Sequence, residues 1–333
     1  MYNRPNYLKR ILNYYNSSSI NFDIVIADSS NKEFIQQDEE IVKSFEKLKI
    51  IYKKYSDDFN TYYYKKKADS LKYAETKYCL FCAVDDFITP EAINKSIEFL
   101  DKHSDYSCVH GDYISFRFDK KTQKFYWKNI YTYYKSIDSS KPEERLNDQF
   151  TNYIQTIYSV HRTNQLKMIF QENIKYSDDA RFGEILPSLL DVIHGKMKRL
   201  NAFYCAREKI FDSDAKTCST IMNFIKKGTY EAKYKKFREC LSEHLSRHSN
   251  LNLQNSRRVI DENWKFYMKQ LKRNHHPIIY KFEKYFDYKI IKEFYRMSFR
   301  RNDYKSWTAS NPPLEYFNDF NKIKNIVLLT SLE

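Results

Sequence analysis

Apolar positions along the first two hundred residues switch between a helical and an extended period, and each switch marks an element. Asn3 followed by Pro5 reads as a helix start, with Leu8, Ile11, Leu12 and Tyr15 on one helical face. Phe22-Asp-Ile-Val-Ile-Ala27 is a short apolar run that stops at Asp28-Ser29-Ser30, the pattern of a buried strand whose carboxyl end meets a polar loop. Leu48 to Tyr52 is a second, weaker strand, residues 60–75 read as a helix, and the apolar run from Tyr78 to Val84 stops at Asp85-Asp86. After Pro90 the pattern predicts a helix over Ala92 to Leu100 and strands around Tyr106 to Phe118 and Ile154 to Val160. A helix from Phe182 to His194 and an extended stretch from Met197 to Ala206 follow. From about residue 212 the chain reads as helical throughout, with long charged stretches such as Tyr230 to Arg247 and Ile279 to Arg301.

This alternation predicts two parts. Residues 1–211 form an α/β domain around a mostly parallel sheet, and residues 212–333 form a basic, mainly helical accessory region. Ligands in open α/β sheets sit outside the carboxyl ends of the strands, so Asp28 and the pair Asp85-Asp86 are expected to face one crevice.

Composition narrows the classes. A chain of 333 residues with 42% hydrophobic residues can bury a sizeable core, which excludes wholesale disorder. No apolar run approaches the roughly 20 residues that span a bilayer, and MYNRPNYLKR has no apolar segment of a signal peptide. The expectation is a cytoplasmic protein, at most peripheral to the inner membrane face. Cys79-Leu-Phe-Cys82 has metal or redox spacing, but it falls in a strand-like run without a second cysteine pair and reads as buried strand. The four glycines, 111, 183, 195 and 228, leave no Gly-rich phosphate loop near the N-terminus, which counts against nucleotidyl transfer. The net charge of +14 divides unevenly, +10 over residues 212–333 and +4 before them. Such a surface suits a partner subunit, a membrane surface or an anionic acceptor, or is simply solvated; nucleic-acid binding is a competing reading that predicts steep salt dependence.

Three segments in order carry a resemblance: Tyr2-Asn3-Arg4-Pro5 with Leu8, Phe22 to Ser30, and Cys82-Ala-Val-Asp85-Asp86-Phe87-Ile88-Thr89-Pro90. Together they resemble the landmarks of GT-A-fold glycosyltransferases of the family 2 type, over roughly residues 1–211. The resemblance implies a GT-A-like sheet flanked by helices and transfer of a sugar from a nucleotide-sugar donor to a hydroxyl on a glycan or lipid-linked acceptor. It also implies dependence on Mn²⁺ or Mg²⁺, an inverting mechanism, and a place in cell-surface polysaccharide or glycan synthesis. A hard cation held by carboxylates neutralises a departing diphosphate as a Lewis acid. By resemblance, Asp85 takes the place of the last Asp of the D-x-D metal motif and Asp86 that of the following carboxylate, both as metal ligands. The first Asp of the motif falls at Ala83, a departure from the family.

Asp28 corresponds to the nucleotide-binding Asp, although followed by two serines it could equally close its own loop as an Asx turn. Arg4 would help hold base or phosphate, His161 phosphate or acceptor, and Arg162 leaving-group charge. The general base is assigned to Glu184, eleven residues ahead of Gly195, with Asp179 and Asp178 in reserve; acids near a helix N-terminus are also stabilised by the dipole alone. The resemblance further implies a buried strand ahead of the Asn3 loop, whereas the chain begins within that loop. A missing first strand is therefore expected, and a noncatalytic sugar-nucleotide-binding relative is the alternative reading.

Overall fold

The computed structural model describes residues 1–18, 20–56, 63–177, 179–209, 228–275, 308 and 314–331. Helix α1 (Pro5–Ser17) has Pro in its first turn, where the missing N–H costs nothing, and buries Leu8, Ile11, Leu12, Tyr14 and Tyr15. Strand β1 (Ile24–Asp28) leads through α2 (Lys32–Lys43) to β2 (Ile50–Lys54), and the two strands pair in parallel from Ile24↔Ile50 to Asp28↔Lys54. Among the described residues no strand joins this pair to the larger sheet. Met1 lies beside β1, its amino group donating to Ala27 O at 2.5 Å and its carbonyl accepting from the Ser29 amide at 3.2 Å.

The larger sheet is built on two long strands, β5 (Tyr106–Asp119) and β8 (Lys196–Glu208), which run parallel. Around them the order is β3-β7-β5-β8-β4, with β3 Tyr78–Cys79, β4 Asp86–Ile88 and β7 Val160–Arg162, and with β6 (Lys124–Ile130) paired to β5. The expectation of a mostly parallel sheet gives way to a mixed one: β3, β4, β6 and β7 all pair antiparallel. For β6 the cause is local. Asp119 Oδ1 accepts from the Lys121 amide, Gln123 takes a positive φ of 53°, and so tight a turn returns the chain as a hairpin. The run from Tyr78 to Val84 forms a strand for only two residues: in this antiparallel register its continuation would run back past Val160, where β7 begins.

The remaining helices are α3 (Tyr63–Ser70), α4 (Pro90–Lys102), α5 (Pro142–Thr151), α6 (Thr163–Tyr176), α7 (Ala180–His194), α8 (Tyr230–His248), α9 (Leu253–His275) and α10 (Phe317–Ser331). The boundary expected near residue 212, and the helix expected from Ile279, fall outside the described residues. The C-terminal helices that are described enter the same hydrophobic clusters as residues 1–211. Phe237 of α8 and Trp264 of α9 pack against Phe182 of α7 with ring centroids 4.7 and 5.5 Å away, and Phe320 and Val327 of α10 join Tyr14 and Phe125.

Trp264 is 4% exposed and also contacts Phe150 and Tyr267. Trp264→Ala is expected to cost about 3–5 kcal/mol, seen as an earlier urea midpoint of the whole chain. An unmoved main transition would mean that α8 and α9 do not share the core of residues 1–211.

Candidate active site

The site grows from the loops at the ends of β1 and β4. Asn3 sits at φ 50°, a left-handed conformation that Asn tolerates, and so its side chain and amide turn toward the loop that follows β1. The Asn3 amide donates to Ser30 Oγ at 2.8 Å, and Asn3 Oδ1 accepts from the Asn31 amide at 2.9 Å. The next residue, Arg4, donates from a terminal guanidinium nitrogen to Asp85 Oδ2 at 2.8 Å. Thus a continuous set of hydrogen bonds links Asp28, Ser30, Asn3, Arg4 and Asp85 around one rim.

Beside Asp85 the charges alternate. Arg10, 5% exposed on α1, donates to the Asp85 carbonyl at 3.1 Å and pairs with Glu208 Oε2 at 2.6 Å, while the Tyr7 ring lies against both Arg4 and Arg10. Asp86 is buried opposite Arg207 in the β4–β8 ladder. Its Oδ2 accepts from Tyr158 Oη at 2.9 Å and Arg207 Nε at 3.2 Å, and its Oδ1 accepts from the Glu208 amide at 3.2 Å. Burial pushes the Asp86 carboxyl up to about 6 against the opposing pull of Arg207. Three guanidiniums thereby meet three carboxylates. Lys66 of α3 adds positive charge at the β1 end, donating to Ser29 Oγ at 2.6 Å, and Lys67 adds it toward Glu184.

The expected residues divide. Asp85 keeps Oδ1 without a protein donor among the described residues and remains available to a ligand. Asp86 does not, since both of its oxygens hold the β8 end in place; the expected ligand pair narrows to Asp85. Asp28 is fully buried, with Oδ1 accepting from the Ser30 amide and hydroxyl and Oδ2 from Tyr52 Oη. This is the Asx-turn arrangement, so the carboxylate shapes the loop rather than facing a nucleotide. His161 is in the core beneath β7, its Nε2 2.9 Å from Thr156 O and its Nδ1 3.2 Å from the buried Asp191. Arg162 spends its donors on the carbonyls of Leu100, His103 and Tyr106, closing the end of α4. His161 does not reach an open surface where phosphate could bind, whereas Arg162 is half-buried with its guanidinium turned to these main-chain carbonyls.

Asp179 is the N-cap of α7, accepting from the Arg181 amide at 2.9 Å and from Lys233 Nζ at 3.1 Å, which removes it as a base. Asp178 lies outside the described residues. Glu184, one turn into α7, is exposed, and its Oε1 accepts from Gln155 Nε2 at 3.1 Å. Gln155 also lines, with Tyr131, Tyr134, Tyr158 and Arg207, a small recess of about 10 Å³, room for about one water. A larger cavity of about 470 Å³ between α4, β8 and α10 is lined by Glu91, Asp112, Glu315 and Asp319 together with Lys95, which pairs with Glu91, while Asp112 pairs with Arg199.

Arg10, Arg207, Glu208 and Lys66 escaped the sequence reading. The one local signal is Arg207-Glu208, a charged pair closing an apolar run; their partners lie far away in sequence.

The described elements form a GT-A-like mixed α/β sheet with charged groups gathered outside the strand ends. A model of glycosyl transferase family 2 matches residues 1–169, just over half of the chain, and the chain belongs to that family. Members of that family use nucleotide-sugar donors and typically divalent cations. Among solved structures, the crystal structure of S. aureus TarS matches at 15% identity with a TM-score of 0.43. The match covers 81% of this chain and 53% of TarS, so the chain spans about half the length of that protein. A comparison with curated proteins returned no match. Among the described residues, no helix is long and apolar enough to cross a membrane.

Asp38, buried on α2, has its carboxyl pushed up to about 7 by burial and by the neighbouring negative Asp28. Unfolded, it would release its proton near 3.8, so the folded state holds the extra proton between those values and this contribution to stability is lost as pH rises toward 7. Asp38→Asn is expected to flatten the fall in melting temperature between about pH 4 and pH 7. Parallel curves for variant and wild type would rule the titration out.

Proposed function

We propose that the chain moves a sugar from a nucleoside-diphosphate donor to a hydroxyl of a glycan or lipid-linked acceptor, with inversion at the anomeric carbon. The observation that carries this reading is the single rim joining the Asp28 loop, Arg4 and Asp85.

The donor set fits a hard divalent ion in one way only. Asp85 offers one free carboxylate oxygen, and the ion's remaining positions would be filled by donor phosphates and water, as Mg²⁺ or Mn²⁺ accepts. Bound there, the ion supplies Lewis-acid neutralisation of the departing diphosphate. The protein's own part is clear in chemical terms. Arg4 and Lys66 hold phosphate charge at the rim, where guanidinium and ammonium donors are already oriented by Asp85 and Ser29. Glu184 takes the proton of the acceptor hydroxyl as it attacks, and Gln155 orients that carboxylate.

The helices after residue 228 would position the acceptor or meet an anionic surface, in keeping with the basic balance of residues 212–333. The division at residue 211 is retained as a proposal about function, with one folded core serving both parts.

Two variants test the reading. Glu184→Gln should slow transfer by roughly 10²–10⁴-fold while leaving binding of a nucleoside diphosphate within a few-fold of wild type. Asp85→Asn should abolish the Mn²⁺-dependence of nucleotide binding in a thermal-shift titration. Wild-type transfer rates in Glu184→Gln would remove it as base, and metal-independent binding by the wild type would remove the cation from the scheme.

A further inference from the structure

The C-terminal ends of α7 and α8 converge far from the chemistry assigned to Asp85 and Glu184. His194 is the last residue of α7 and His248 the last of α8, and His244 lies one turn before His248 on the same helix face. His194 Nε2 and His244 Nδ1 stand 2.8 Å apart, and the His194 and His248 rings are 4.3 Å apart between centroids. One ring nitrogen from each of the three lies within 4.8 Å of the other two. The outer nitrogen of His244, Nε2, faces Glu172 Oε2 of α6 at 3.6 Å.

Three imidazoles so close cannot share positive charge. His194 is pushed down to about 3 by burial and by its two histidine neighbours, and burial lowers His244 and His248 as well. Near neutral pH the cluster therefore presents neutral rings with lone pairs, the form that ligates metal.

We propose that His194, His244 and His248 bind one divalent transition metal, best matched by Zn²⁺, with Glu172 steadying the His244 ring through its outer nitrogen. Zn²⁺–N bonds of about 2.0–2.1 Å place the nitrogens of a tetrahedral site roughly 3.3 Å apart, within the span these rings already occupy. Imidazole selects such a metal over the hard cations that suit Asp85. The carboxylate behind His244 is the usual outer partner of a ligating histidine. Two helix C-termini direct the negative ends of their dipoles at the site, and His248 is exposed, which gives the ion a way in. Arg145 and Arg247 are the opposing charges, while Glu172 and Asp191 act in favour. Arg145 is committed to the carbonyls of Ser139, Ser140, Val192 and Ile193, which keeps its guanidinium directed at the helix end. The metal would clip α8 onto α7 and thereby hold the C-terminal helices to the α/β part.

The test uses the full chain without a histidine tag, stripped with a chelator. Added Zn²⁺ should raise the melting temperature by roughly 5 °C, saturating at one ion per chain, and Co²⁺ should give the visible absorption of a tetrahedral site. Both signals should vanish in His248→Ala, whose exposed side chain can be removed without disturbing the core, and should persist in Asp85→Asn. An unchanged Zn²⁺ response in His248→Ala, loss of the response in Asp85→Asn, or no Zn²⁺ retained by the wild type after dialysis would each overturn the proposal.

Discussion

Burial of Asp86 is the constraint on which the site depends. A carboxylate removed from water must be paired and hydrogen-bonded or it gives up its charge, and here Tyr158, Arg207 and the Glu208 amide converge on it. Satisfying Asp86 pins the end of β8 against β4. That in turn holds Glu208 where Arg10 can reach it, and Arg10 steadies the Asp85 main chain. Asp85, the next residue along, is thereby left facing outward with Arg4 at its side. The pair of acids that looks symmetric in sequence is thus divided by burial into an anchor and an available ligand.

The same logic of compensation runs through the rest of the rim. Asp28 resolves its own burial by turning back on Ser30 and Tyr52, which shapes the loop against which Asn3 docks. His161 and Asp191 resolve theirs by facing each other inside the core.

Reading the chain alone recovered strands wherever a single apolar run was long enough to be buried from both faces, as in β1, β5 and β8. It failed where a run outlasted its partner, as at Tyr78 to Val84, and where the signal was a turn, as at Asp119 before β6. The helix that carries Glu184 was legible because its apolar positions, Ile185, Leu189 and Ile193, recur at helical spacing over a few turns. The roles given to His161 and Arg162 were not, since their partners, Asp191 and the end of α4, lie tens of residues away.

By itself, then, the order of residues determined that an α/β layer would form and that acids would stand at the ends of β1 and near β4, while the expectation of glycosyl transfer came from the resemblance to a family. These follow from periodicity and from short motifs, which act over a few neighbouring residues. Tertiary structure alone decided which acid is buried, which arginines face the rim, and that the C-terminal helices share one core with the sheet. The physical reason is that desolvation and charge pairing depend on distance in space: Asp86 meets Arg207 and His194 meets His244 only after the sheet and helices have packed.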